Sequence, residues 1–186
     1  MERIKTVLSE FGTVEPKLWE AIRQIMVVKN YPKGSLLLEA DKTCRYLWFM
    51  DQGITRGFYY KNGKEITTWF SLENDPCLSV YSFLTQKPSR EYIDAVEDTV
   101  VYGIHHEHLQ KLYQQFPALN LIGRILTESY YIQLEEHSHS LLHETSKERY
   151  WRLVEEWPEL VQRVPLTYIA SYLGMTKENL SRIRRI

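Results

Sequence analysis

At 186 residues the chain is long enough for one domain, or two small ones, around a real core. Its formal net charge of −1 hides an asymmetry: residues 146–186 hold eight Lys/Arg against five Asp/Glu, and residues 1–145 hold fifteen against nineteen. No apolar run approaches a membrane span, and Cys44 and Cys77 have no zinc or iron–sulfur spacing, which excludes a membrane-spanning helix and a cysteine-bound metal. With no signal peptide ahead of Met1–Ser9, the expectation is a cytoplasmic protein whose two thiols are reduced and buried.

Residues 1–28 read as helical. Ile4, Val7, Leu8 and Phe11 make one apolar stripe, and Leu18, Ile22, Ile25 and Met26 another after Pro16 starts a new helix. Tyr31-Pro32-Lys33-Gly34 is a turn. From Ser35 to His105 short apolar or alternating runs are broken by turn signals, as in a β meander. The runs are Leu36–Glu39, Tyr46–Asp51, Ile54–Tyr60, Glu65–Ser71, Arg90–Ala95 and Thr99–His105. Asn62-Gly63 is the strongest hairpin signal among them, Asn74-Asp75-Pro76 breaks the chain, and Ser79–Gln86 suits a short helical turn. Such a meander closes as a small barrel or roll.

Leu109–Phe116 comes next as a short helix, and Pro117 opens the longest one, running to about Leu142 over roughly 39 Å. Leu119, Ile122, Leu126, Tyr130, Leu134 and Leu141 lie close to one line on it, and Leu121, Ile125 and Ile132 form a second line beside it. A helix apolar on two sides needs more than one partner, and the expected second partner is the same helix of another subunit. His143-Glu144-Thr145-Ser146 is the expected hinge. Ser146 is expected to cap a helix Lys147–Glu156 that buries Tyr150, Trp151, Leu153, Val154 and Trp157, with Pro158 and Pro165 punctuating the stretch after it.

The last stretch, PLTYIASYLGMTKENLSRIRRI, reads as two short helices and a tight turn. Ile169, Ala170 and Leu173 share a face, Gly174 suits the positive φ of a helix stop, and Thr176 can cap the second helix. Leu180 and Ile183 face back, and Ala170 lets the two helices cross closely. This is the helix-turn-helix pattern. The outward face of the second helix carries Lys177, Asn179, Ser181, Arg182 and Arg185, residue types that suit base edges and phosphates.

N-terminal helices, a roll, a long helix, a hinge and PLTYIASYLGMTKENLSRIR together resemble the Crp/Fnr family of bacterial transcription regulators, in its Bacteroidetes-type branch. PSREYIDAVEDTVVYGI looks like the last roll strands of that family's cyclic-nucleotide-binding domain. The resemblance implies an α+β chain. Residues 1–116 would form a β-roll sensor domain of double-stranded β-helix type with flanking helices, 117–143 a dimerisation helix and 144–186 a DNA-binding domain. It implies a homodimer through 117–143 on a two-fold-symmetric duplex, with RNA polymerase as a further partner and contacts from Lys177, Glu178 and Arg182; Thr176, at the start of the same helix, is a further candidate contact. Of these, Arg182 suits guanine, and Glu178 would accept from cytosine or position Arg182.

The family's cAMP-binding members cradle phosphate with a Gly-Glu pair and an arginine. Here no glycine lies between Gly63 and Gly103, and Arg90, expected to pair with Glu91 or Glu97, stands slightly off the family pattern. The expectation is therefore no cofactor and no cAMP. Should another effector use the roll, Trp69, Tyr81, Ser82, Phe83, Arg90 and Tyr92 are the candidate lining, with ordinary roll core as their plainer role. No cysteine precedes Cys44, which excludes the family's iron–sulfur switch, and the final turn at Ile186 is expected to fray.

All six histidines come after Gly103, so the His106-Glu107-His108 run lacks the further roll ligand that a cupin-type metal enzyme needs. His139 and His143 are one turn apart and suit a solvated helix end. No nucleophile triad, phosphate loop or dinucleotide fingerprint is present. The reading is a non-enzymatic, DNA-binding transcription regulator. The alternative is a small-ligand sensor whose helix-turn-helix is degenerate.

Overall fold

A computed structural model of the chain describes residues 2–185, so the expectation for Ile186 falls outside the described residues. Two helices open it, α1 (Glu2–Glu10) and α2 (Pro16–Ile25), the second started by proline at its first position. The helical reading of 1–28 ends early, because β1 (Val27–Tyr31) already belongs to the roll. Two adjacent β-branched valines favour a strand there, and their side chains are exposed, so no alternating pattern announces it.

The roll continues through β2 (Leu36–Leu38), β3 (Tyr46–Gln52), β4 (Thr55–Lys61), β5 (Lys64–Ser71), a two-residue β6 (Pro76–Cys77), helix α3 (Val80–Thr85), β7 (Tyr92–Ala95) and β8 (Thr99–His105). Two four-stranded sheets result, ordered β1-β8-β3-β6 and β2-β7-β4-β5. Gly103 of β8 lies opposite Trp48 of β3, whose indole occupies the space that any β-carbon at 103 would need. Inside the roll Arg56 is almost wholly buried and grips Asp94 bidentately, at 3.0 and 2.7 Å. A core of Ile4, Leu8, Leu18, Trp19 and Ile22 from the opening helices meets Phe49 and Ile104 of the sheet.

Helix α4 (His106–Gln115) and the long α5 (Pro117–His143) come after the roll. Leu119 and Ile122 at the start of α5 join the same core, whereas Tyr131, Ile132, Leu134 and Leu142 further along are 65, 54, 51 and 76% exposed. After the hinge come α6 (Ser146–Glu156), α7 (Pro158–Arg163), α8 (Leu166–Tyr172) and α9 (Lys177–Ile183). Thr145, not Ser146, caps α6: its hydroxyl accepts from the N–H of Glu148, and the Glu148 carboxylate reaches back to the N–H of Thr145. The buried side of α6 is Arg149, Tyr150 and Leu153, and Trp151 is turned outward. The two prolines bracket α7, whose Leu160 is fully buried.

The chain divides into two compact units. One runs to Gly57 and from Phe70 to Ser129. The other combines Phe58–Trp69, the outer part of the β4–β5 hairpin, with everything from Tyr130 onward.

Candidate nucleic-acid interface and the roll segment

Helices α8 and α9 form a tight pair in the second unit. Ile169, Ala170, Leu173, Leu180 and Ile183 are buried, and Ala170 leaves room for the crossing. Gly174 makes the turn with φ +63°, and a β-carbon there would meet Leu141 Cδ2 at 3.1 Å. The Met175 N–H closes the turn on the Ala170 carbonyl at 2.9 Å. The Thr176 hydroxyl accepts from the Asn179 N–H at 3.2 Å and so caps α9.

Opposite the buried face, Lys177, Glu178, Arg182 and Arg185 are exposed. Asn179 and Ser181 are half-buried. Asn179 Oδ1 accepts from Arg182 Nη2 at 3.0 Å, so Asn179 rather than Glu178 orients that guanidinium. The Glu178 carboxyl is held below the usual carboxylate range by its own backbone N–H first and the Thr176 hydroxyl next, with Lys177 and Lys64 adding attraction.

Three supports hold this pair, and sequence reading missed them all. Buried Arg149 on α6 donates through Nε to the Leu173 carbonyl at 2.8 Å and through Nη1 to the Glu144 carbonyl at 2.5 Å, tying hinge to turn. His137 of α5 stacks on Tyr172 at 4.3 Å, nearly parallel. Burial pushes the His137 pKa down, helped by Arg152 and Arg149, and burial pushes the Tyr172 hydroxyl up to about 12. Ser171, third, bridges the β4–β5 hairpin: its hydroxyl accepts from the Thr67 N–H at 2.9 Å and donates to the Glu65 carbonyl at 3.2 Å. The Asn-Gly turn signalled that hairpin, but no local pattern says where a hairpin docks.

The roll segment from α3 to β7 is closed by its own hydrogen bonds. The Ser82 hydroxyl accepts from the Cys44 N–H at 2.8 Å and donates to the Lys87 carbonyl at 2.5 Å. Ser89 lies 3.1 Å from the Ser79 hydroxyl and bonds both the carbonyl and the N–H of Glu91. Gln86, in the left-handed region at φ 53°, donates to the Phe83 carbonyl at 2.6 Å. Phe83 is core, edge-on to His106. Arg90 lies over the Tyr81 ring at 4.5 Å. Tyr92 is half-buried on β7, and Trp69 belongs to the second unit. Among the described residues no buried side-chain nitrogen or oxygen lacks a partner, and the segment has no glycine.

Among the described residues no three His, Cys, Asp or Glu gather as a metal ion would need, and no helix is long and apolar enough to cross a membrane.

Residues 28–116 match the family model of the cyclic nucleotide-binding domain. No curated protein sequence gives a significant match. Solved structures share the fold. FixK2 from Bradyrhizobium japonicum has a TM-score of 0.71 at 21% identity, over 87% of this chain and 83% of that one. The regulator CLP of Xanthomonas campestris, described as responsive to c-di-GMP, has 0.72 at 14%, over 92% and 90%. The catabolite activator protein of Thermus thermophilus has 0.59 at 19%, over 94% and 84%. The chain thus shares the fold of these solved structures.

Proposed function

We propose that the chain is a DNA-binding transcription regulator, in which α8 and α9 form a helix-turn-helix and α9 enters the major groove. The observation that carries this reading is the two-sidedness of α9: Leu180 and Ile183 are buried, while Lys177 and Arg182 are exposed behind a capped first turn, with exposed Arg185 just past the helix end. Arg182, steadied by Asn179, suits a guanine edge; Lys177 and Arg185 suit phosphates. The fold of the neighbours supports the same reading. The closed roll segment supports a regulator that works without a cyclic nucleotide.

A regulator of this kind reads a symmetric site as a dimer, and the exposed apolar residues of α5 supply a face for a second copy. The test is selection of duplexes by the purified protein from fragments of its own genome, and then titration over a range of salt. Binding to a two-fold-symmetric sequence is expected, with affinity falling steeply as salt rises. Arg182→Ala should lose about 1–3 kcal/mol of discrimination at one base position. Equal binding of every sequence by wild type and variant would remove Arg182 from the interface. A nucleotide that raises the melting temperature of a protein with no affinity for DNA would favour the sensor alternative.

A further inference from the structure

The β4–β5 hairpin turns through Tyr60-Lys61-Asn62-Gly63-Lys64-Glu65, and its tip is solvent-exposed. Asn62 and Gly63 take φ 52° and 75°, the two positive values of a tight two-residue turn. Lys61 and Lys64 flank that turn. In a two-residue hairpin the flanking positions oppose each other, and like charges directly opposite are unfavourable. One pair back, Tyr60 donates to the Glu65 carboxylate at 3.3 Å, so that acidic group is already engaged. The tip therefore presents two positive charges side by side.

The tip is also anchored. Ser171, the penultimate residue of α8, hydrogen-bonds both the N–H of Thr67 and the carbonyl of Glu65, the residue next to Lys64. A single hydroxyl that serves one donor and one acceptor of the same strand fixes its register against α8. Lys64 is then close enough to the first turn of α9 to attract the Glu178 carboxylate. A cationic loop and the cationic face of α9 thus belong to one compact unit.

We propose that the hairpin tip is a second DNA-contacting element, in which Lys61 and Lys64 grip the phosphate backbone beside the groove that α9 enters. This rests on the DNA-binding reading above. The chemistry is that of two point charges on flexible stems: they add sequence-independent affinity and read no base. A phosphate between the two ammonium groups also relieves their mutual repulsion.

The experiment compares wild type, Lys61→Ala/Lys64→Ala and Ser171→Ala on the selected duplex and on a mixed-sequence duplex of about 30 bp, three helical turns. Each is titrated across salt, with circular dichroism melts confirming that the variants fold. Every phosphate that the protein ceases to neutralise lowers the slope of log affinity against log salt by about 0.9. The double variant should therefore bind both duplexes more weakly by a similar factor, with a slope smaller by about 1–2. Ser171→Ala should move the same way by less. Unchanged affinity and slope in the double variant would overturn the proposal. So would tighter binding, which would make the hairpin a mask over α9. Loss confined to the selected duplex would overturn it as well, since phosphate contacts carry no sequence preference. If wild type binds neither duplex even at low salt, the DNA-binding reading itself falls; if it binds and only the lysine pair is silent, that reading stands and this one does not.

Discussion

Cys77 sits at the centre of the roll with its thiol wholly enclosed, 3.3 Å from the Thr55 hydroxyl. Burial pushes its pKa up to about 12, and burial raises that of Cys44 as well, against hydrogen bonds that pull it down. A thiol-specific reagent acts on the thiolate, so both cysteines should resist labelling at neutral pH in the native protein, and two should react once denaturant is added. Rapid labelling of either in native protein would place it at the surface. Arg149 is a case in which sequence misleads. An arginine in the first turn of a helix reads as solvated, and its role becomes visible only when the Leu173 and Glu144 carbonyls converge on it from residues outside α6.

At the scale of elements, periodicity named most of what is present. The strands β3 to β5 and β8, the long α5 and the α8–α9 pair stand where alternation, Asn-Gly and helical spacing put them, within a residue or two. The misses have a common cause. Strand β1 is an edge with little buried, β6 is two residues long, and α7 is framed by prolines that look like punctuation. None of them buries enough in a regular pattern to write it into the sequence. The turn between α8 and α9 is better defined: Gly174→Ala should destabilise the pair by about 1–2 kcal/mol, because an alanine must adopt a left-handed backbone and press on Leu141. A thermal melt of the variant measures it, and an unchanged melting temperature would mean that the turn relaxes freely.

The α5–α8 contact should respond to acid. Burial and two arginines hold the His137 pKa below its ordinary value of 6.5. Folding therefore favours its neutral form, and the unfolded chain binds the extra proton first. The stability that His137 contributes is fully present above about pH 6.5. It declines as pH falls from there toward the lowered native value, and does not decline further below it. Wild type and His137→Gln should thus diverge in melting temperature between mildly acidic and neutral buffers. Parallel curves across that window would show that the stack on Tyr172 does not sense the proton.

For the molecule as a whole, the exposed half of α5 is the face that the proposed dimer would cover. Tyr131, Ile132, Leu134 and Leu142 place more apolar surface in water than isolated surface residues do. With Leu134→Glu, a charge replaces a side chain that is half exposed in the single chain. The single chain should keep its stability within about 0.5 kcal/mol while losing its mate. Sedimentation of wild type as a dimer and of the variant as a monomer is the expected pair of results; a monomeric wild type would leave the α5 face to another partner. The sequence made this face legible because it carries two apolar lines, more than one neighbour can cover.

The union of the hairpin with the final helices has a consequence for dissection. Ser171 reaches backbone atoms more than a hundred positions earlier in the chain. The closing segment consequently borrows part of its scaffold from the roll. Cutting at the hinge, as one would to isolate a minimal DNA reader, discards that scaffold together with His137 and Leu141. A peptide of residues 144–186 should accordingly melt lower than the same residues in the intact protein, and whatever it binds will be a poor guide to the parent.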